Sequence, residues 1–243
     1  MVLSIFICLF LAVGAYVAPM LGSWIGDLAV LRLTTIQITG AFRVPQEEIL
    51  TASGLSTGMS TLSIDLSSVA KGIEKHPWIE TCTVKRILPD RVVISVTERK
   101  PVAVIGAERT LLVDRTGCIL KSPEPAPDVL PRLTNVSPDE IQNGFLSETW
   151  RHALDFISLA ASGSKTCGLS SIRSIRLEES GGLMVYAGGV DIALHFSSRT
   201  DMKKQFKRAE KILYQLYASG NYSRVDSIYL DMGGNRALAR MKD

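Results

Sequence analysis

Histidine is scarce in this sequence, and its placement excludes much chemistry. Its three copies are His76, His152 and His195, expected at a helix end, within a helix and on a strand. No Gly-x-Ser-x-Gly elbow, His-Glu-x-x-His pair or phosphate-cradling glycine loop occurs, so hydrolase, zinc-protease and nucleotide chemistry lack their usual residues. Cysteine is nearly as sparse, at four. Cys8 lies in an apolar run, and Cys82, Cys118 and Cys167 match no metal-ligand spacing. Cys82 falls on the apolar side of an expected strand, where a small buried thiol accounts for it. Cys118 and Cys167 leave open one disulfide or two separate thiols. The expectation is therefore no catalytic residue, no cofactor and no metal, with a triad assembled from distant residues as the minority alternative.

Excess charge is also missing. A net +3 with 21% charged residues lacks the concentrated Lys/Arg patch that phosphate neutralisation needs, which argues against nucleic acid as a partner. Internal repeats and low-complexity segments are absent. The most pointed absence is at the start: Met1 to Gly26 carries no charged side chain, and Asp27 is the first. As a helix that run reaches roughly 39 Å, against a hydrocarbon core of about 30 Å. Trp24 near its end suits a headgroup region. A cleaved signal peptide is the rival, but it needs a basic start and a shorter core. Residues 1–26 are expected to form a single transmembrane anchor, which also explains 46% hydrophobic residues and a mean hydropathy of +0.19.

What is present reads as small mixed domains. Leu33–Gly40 alternates, with Ile36 and Ile38 on one face, as a strand. Pro45 with acids after it starts a helix. A second helix begins near Ser63 or Asp65, turns Leu66, Val69, Ala70 and Ile73 inward, and stops before Pro77. His76–Val104 then holds two runs of period two around Leu88-Pro89-Asp90. Cys82 and Val84 share a face in the first, and Val92, Ile94 and Val96 share one in the second, so this is a hairpin. The order is strand, helix, helix, strand, strand.

Beyond Lys100-Pro101 the chain continues with Leu112–Gly117 and with Pro123, Pro125, Pro127 and Pro131, which mark an irregular connection. A helix near 147–162 should bury Trp150, Leu154, Ile157 and Ala161. Runs at Ser171–Leu177, Leu183–Tyr186 and Val190–Phe196, separated by glycine pairs, read as a meander. The helix Thr200–Ser219 should turn Met202, Phe206, Ala209, Leu213 and Leu216 inward. Lys203, Lys204, Lys207, Arg208 and Lys211 then point away, as a solvated face or one that meets an acidic partner or anionic headgroups. A last hairpin, Ser227–Asp231 and Arg236–Arg240, ends the chain. An edge strand there offers unpaired N–H and C=O groups to an added strand.

The order β-α-α-β-β after one apolar span resembles a POTRA domain. Pro77-Trp78-Ile79, Val84-Lys85-Arg86, Pro89-Asp90, Val92–Val96 and Glu98-Arg99-Lys100-Pro101-Val102-Ala103 resemble the bacterial cell-division protein family FtsQ/DivIB. Gly40, Gly54, Gly58, Leu62, Asp65, Leu112-Val113-Asp114 with Gly117, and Leu130-Pro131-Arg132-Leu133 extend the resemblance. It implies an α+β fold: an anchor (1–26), a POTRA domain (32–101) and a β domain (102–243) with an extended antiparallel sheet. It further implies a non-enzymatic scaffold of the division machinery that binds FtsB and FtsL, with FtsW/FtsI as further partners, and helps regulate septal peptidoglycan synthesis. The protein would sit once through the inner membrane, N-terminus cytoplasmic and bulk periplasmic, at the division site, with no nucleic-acid or small-molecule partner. Carried over by position, the partner-binding residues are Met232, Gly234, Asn235 and Arg240. The sequence departs from the family pattern at Tyr229-Leu230-Asp231-Met232, and Arg240 stands where an aromatic is usual. The rivals are a POTRA-type chaperone or secretion component and a periplasmic cell-wall enzyme.

Overall fold

Proline and aspartate set the first α-helices among the described residues, which in a computed structural model are 29–106, 111–121, 129–162, 172–187, 192–198, 200–230 and 236–242. After β1 (Thr35–Thr39), Pro45 immediately precedes α1 (Gln46–Ser53), whose first turn carries Glu47 and Glu48. Asp65 caps α2 (Leu66–Glu74) by accepting from the backbone N–H groups of Ser67 and Ser68. The alternating runs form β2 (Ile79–Ile87) and β3 (Arg91–Glu98). β3 lies in the middle of a sheet of order β1-β3-β2, parallel to β1 and antiparallel to β2. Its Val92, Ile94 and Val96 are buried with Ile49, Val69, Ile73, Ile79 and Cys82, so two helices and one sheet face enclose this core.

Close approach rather than turn geometry explains Gly72. A Cβ there would lie 2.8 Å from the Ala52 carbonyl oxygen, so the missing side chain lets α2 pack against the backbone of α1. Gly40 meets both demands, with φ +82° and no room for a Cβ against the Val96 carbonyl oxygen.

Two compact units divide the chain between Arg99 and Lys100. The second begins with β4 (Pro101–Ile105), β5 (Leu111–Asp114), β6 (Ile119–Lys121) and β7 (Arg132–Thr134), followed by the short pair β8 (Ile141–Gln142) and β9 (Phe145–Leu146). Then come α3 (Arg151–Ala161), β10 (Ile172–Leu177), β11 (Leu183–Ala187), β12 (Ala193–Phe196), α4 (Met202–Ala218), β13 (Val225–Tyr229) and β14 (Leu238–Met241). Nine strands make one sheet of order β14-β13-β12-β11-β10-β7-β4-β5-β6.

This sheet is mixed, which corrects the expected antiparallel one. β10 runs parallel to β7, β4 parallel to β7, and β12 parallel to β13. A parallel neighbour needs a long crossover; α3 lies between β7 and β10, and α4 lies between β12 and β13. Both helices pack on the core of Leu133, Ile175, Val185, Leu194, Phe196 and Ile228. Phe156 of α3 meets Phe196 and Phe206 edge-on, with ring centroids 4.9 and 5.5 Å away.

Two side-chain expectations change. In α3 the buried face is Ala153, Leu154, Phe156, Ile157 and Ala160 behind Trp150; Ala161 keeps the spacing of that stripe but, as the last residue of the helix, is exposed. In α4, Arg208 does not point away. Its guanidinium donates to the Leu230 carbonyl oxygen at 2.8 Å, because a long stem lets a partly buried arginine reach a strand end. Among the described residues no helix is long and apolar enough to cross a membrane, and the anchor expected over 1–26 lies outside them.

Candidate partner-binding edge

A sheet has two edges, and each backbone edge is a template for another strand unless something covers it. The chain covers one edge of the nine-stranded sheet itself. The Ile119 N–H of β6 donates to the Gly144 carbonyl at 2.8 Å, the Leu146 N–H donates to the Gly117 carbonyl at 2.8 Å, and Cys118 bridges Phe145. The β8–β9 hairpin thus meets that edge where β6 begins. Asp114 fixes the approach: buried, it accepts from the Thr116 and Cys118 N–H groups, each at 2.8 Å, as a turn-forming aspartate does.

The opposite edge is β14, and all of its residues are exposed. Leu238 and Met241 hold 51% and 45% of their surface open to solvent, more than an edge strand with a packed outer neighbour would keep. Among the described residues β14 pairs only inward, with Leu238 opposite Tyr229, Ala239 opposite Ile228 and Arg240 opposite Ser227. Arg240, the one expected site residue within the described part, is exposed on this strand. Met232, Gly234 and Asn235 lie outside the described residues.

The edge is exposed, but its root is held firmly. The Leu230 N–H donates to the His195 carbonyl at 3.0 Å, while Arg208 of α4 takes the Leu230 carbonyl. The Tyr229 ring stacks on His195, centroids 4.2 Å apart and 13° from parallel, and His195 Nδ1 bonds Glu178. Buried Gln205 fixes the start of α4, accepting from the Ser197 N–H at 2.8 Å and donating to the carbonyls of Ser197 and Thr200. The signal for these clamps in the sequence was slight: a glutamine and an arginine on an otherwise lysine-rich helix.

The first unit treats its edge differently. The Cys82 N–H on β2 is taken by the Glu74 carboxylate at 2.9 Å. Burial, and then the Glu74 charge, push the Cys82 thiol up to about 11, so it stays protonated at neutral pH. Among the described residues no group of His, Cys, Asp and Glu is placed to hold a metal ion. His195 lies beside Glu178, and His76 beside Glu48 at 3.2 Å, on separate units.

Comparison with known proteins agrees with this architecture. Residues 31–99 match the family described as "POTRA domain, FtsQ-type". The chain is 28% identical over 216 residues to the cell division protein FtsQ of Syntrophotalea carbinolica, covering 83% of this chain and 75% of that protein. It is 29% identical over 183 residues to FtsQ of Geobacter sp. strain M21, covering 71% and 66%. Over 96 residues it is 38% identical to FtsQ of Caulobacter vibrioides, covering 39% and 32%. In element order, in the match at 31–99 and in similarity along most of its length, the chain resembles the bacterial cell-division protein family FtsQ/DivIB, with residues 31–99 as an FtsQ-type POTRA domain.

Proposed function

We propose that this protein is a non-enzymatic scaffold of the division machinery that captures FtsB, and through it FtsL, by strand addition at β14. The observation that carries the reading is the asymmetry of the nine-stranded sheet: β8–β9 meets the start of β6, while every residue of β14 is exposed beside a β13 whose end is clamped. Main-chain pairing supplies the affinity in this mode, and side chains at alternate positions supply selectivity. The departures from the family pattern at Met232 and Arg240 alter anchoring side chains and leave backbone pairing intact. Around this site, residues 1–26 form a single span with a cytoplasmic N-terminus, 32–101 the POTRA domain and 102–243 the β domain, the bulk being periplasmic at the division site. The POTRA surface and anchor contact other division proteins, FtsW/FtsI among them, and the assembly links early to late proteins and regulates septal peptidoglycan synthesis.

The test is capture of the cognate FtsB by the full chain, by the chain lacking residues 235–243, and by Arg240→Glu. The truncation should abolish capture and Arg240→Glu should weaken it, with thermal melts confirming that both remain folded. Undiminished capture by the truncated chain would refute the assignment.

A further inference from the structure

Five of the exposed large apolar side chains of the first unit gather at one pole. They are Val30, Met59, Leu62, Ile87 and Leu88, at 62, 38, 40, 48 and 58% exposure. Backbone bonds show that they share an end. The Leu33 N–H donates to the Met59 carbonyl at 2.8 Å, and the Thr61 hydroxyl donates to the Leu31 carbonyl at 2.6 Å. The Thr34 N–H donates to the Asp90 carbonyl at 2.9 Å, which brings the Ile87–Asp90 turn beside the same entering segment. Arg86 closes the group, donating to the Leu62 and Ile64 carbonyls at 3.3 and 2.7 Å.

The charges around this pole are mostly basic. Arg32, Lys85 and Arg91 are exposed beside it, with Arg86 half-buried within it. Against them stand Asp90, which accepts from the Thr34 hydroxyl, and Asp65, committed to capping α2. Apolar side chains ringed by Lys and Arg are the composition of a protein surface that rests in a headgroup layer. A soluble surface rarely gathers so many large apolar residues without something to meet them.

The sequence says what lies opposite. The uncharged run ends at Gly26, four residues before Val30. Even fully extended, that connection reaches roughly 14 Å, while a headgroup layer is about 5–8 Å deep on each side of the hydrocarbon. Whatever occupies the space next to this pole must fit within that gap. We infer that the pole formed by Val30, Met59, Leu62, Ile87 and Leu88 docks on the surface of an anionic bilayer, giving the POTRA unit a second, peripheral membrane contact. This rests on the reading of residues 1–26 as a span, and it limits how far the unit can swing about its tether.

Depth measurement on the full chain tests it. The protein, with Cys8→Ser and Cys167→Ser, is reconstituted into vesicles of phosphatidylcholine and phosphatidylglycerol. Single bimane labels are placed through L62C, L88C, T97C or A15C; Cys82 and Cys118 are buried and label poorly. Lipids spin-labelled near the headgroup should quench the labels at 62 and 88 several-fold more than the label at 97, and less so in pure phosphatidylcholine. Quenching at 15 by mid-chain spin labels reports the span itself. Lipid contact at 15 with 62 and 88 quenched no more than 97 overturns the docking and leaves the span standing. Water exposure at 15 overturns both. Shielding of 62 and 88 from water and lipid alike, rising with protein density, would assign the pole to a second copy and overturn the bilayer proposal.

Discussion

Glu98 binds Val44 across the POTRA fold: its Oε1 accepts the Val44 N–H at 2.9 Å, and also those of Phe42 and Arg43 at 2.8 Å each. One carboxylate oxygen thus satisfies three successive donors of the loop that enters α1, while Arg43 lies over the Trp78 ring at 5.1 Å.

This anchor makes the loop pH-dependent. Partial burial pushes the Glu98 carboxyl up, but the N–H groups of Val44, Arg43 and Phe42 and the Arg43 charge outweigh it, so the net pKa lies below 4.5. A group depressed in the folded state contributes stability above its unfolded pKa and loses it as pH falls through the folded one. Glu98→Ala should therefore cost about 1–2 kcal/mol at neutral pH, and Glu98→Gln less. Thermal melts at pH 7 and pH 3 check this: both variants should differ from the parent less at pH 3.

Gly72→Ala tests helix propensity against packing. In an exposed helix the change would stabilise by roughly 1 kcal/mol. Here the new methyl would sit 2.8 Å from the Ala52 carbonyl oxygen, so α1 and α2 must part. The expected outcome is a net loss of about 1–3 kcal/mol, read as a lower urea midpoint with an unchanged slope.

Gly40→Ala should be worse. The left-handed backbone and the clash an added Cβ would make with the Val96 carbonyl act together, and a backbone atom in the middle of the sheet has nowhere to yield. A loss of about 3 kcal/mol or more is expected. It should appear as early melting of the POTRA unit with the second unit's near-ultraviolet signal retained.

Arg208→Ala removes the partner of the Leu230 carbonyl, whose residue is fully buried. An unsatisfied buried acceptor costs about 1–3 kcal/mol. Hydrogen exchange should rise in β13 and β14 before it rises in β10 or β11, and FtsB capture should weaken without changing the outer face of β14.

The POTRA unit was legible in the sequence because its signals are local. Val92, Ile94 and Val96 alternate cleanly, Asp65 is a cap, and β2 and β3 are joined by a short turn. The nine-stranded sheet was legible only in pieces. β4 and β7 are short strands whose neighbours are set by parallel pairing through long crossovers, which no period in the sequence records. Arg208 read as solvent-facing because helical spacing places a Cα, whereas a long side chain chooses its own end point. The terminal hairpin could be read from its turn residues. That the two edges differ could not, since this depends on β8–β9 meeting β6 at the far side of the sheet.

That covering hairpin also limits growth. A sheet with two bare edges can pair head to tail without end and build a fibre, whereas one with a single bare edge can only pair that edge once. With the start of β6 met by β8–β9, two copies meeting through this sheet would join β14 to β14 about a two-fold axis. The β8–β9 hairpin would then stop growth at the far side of the sheet, and a partner strand at β14 would compete with self-pairing for the same place.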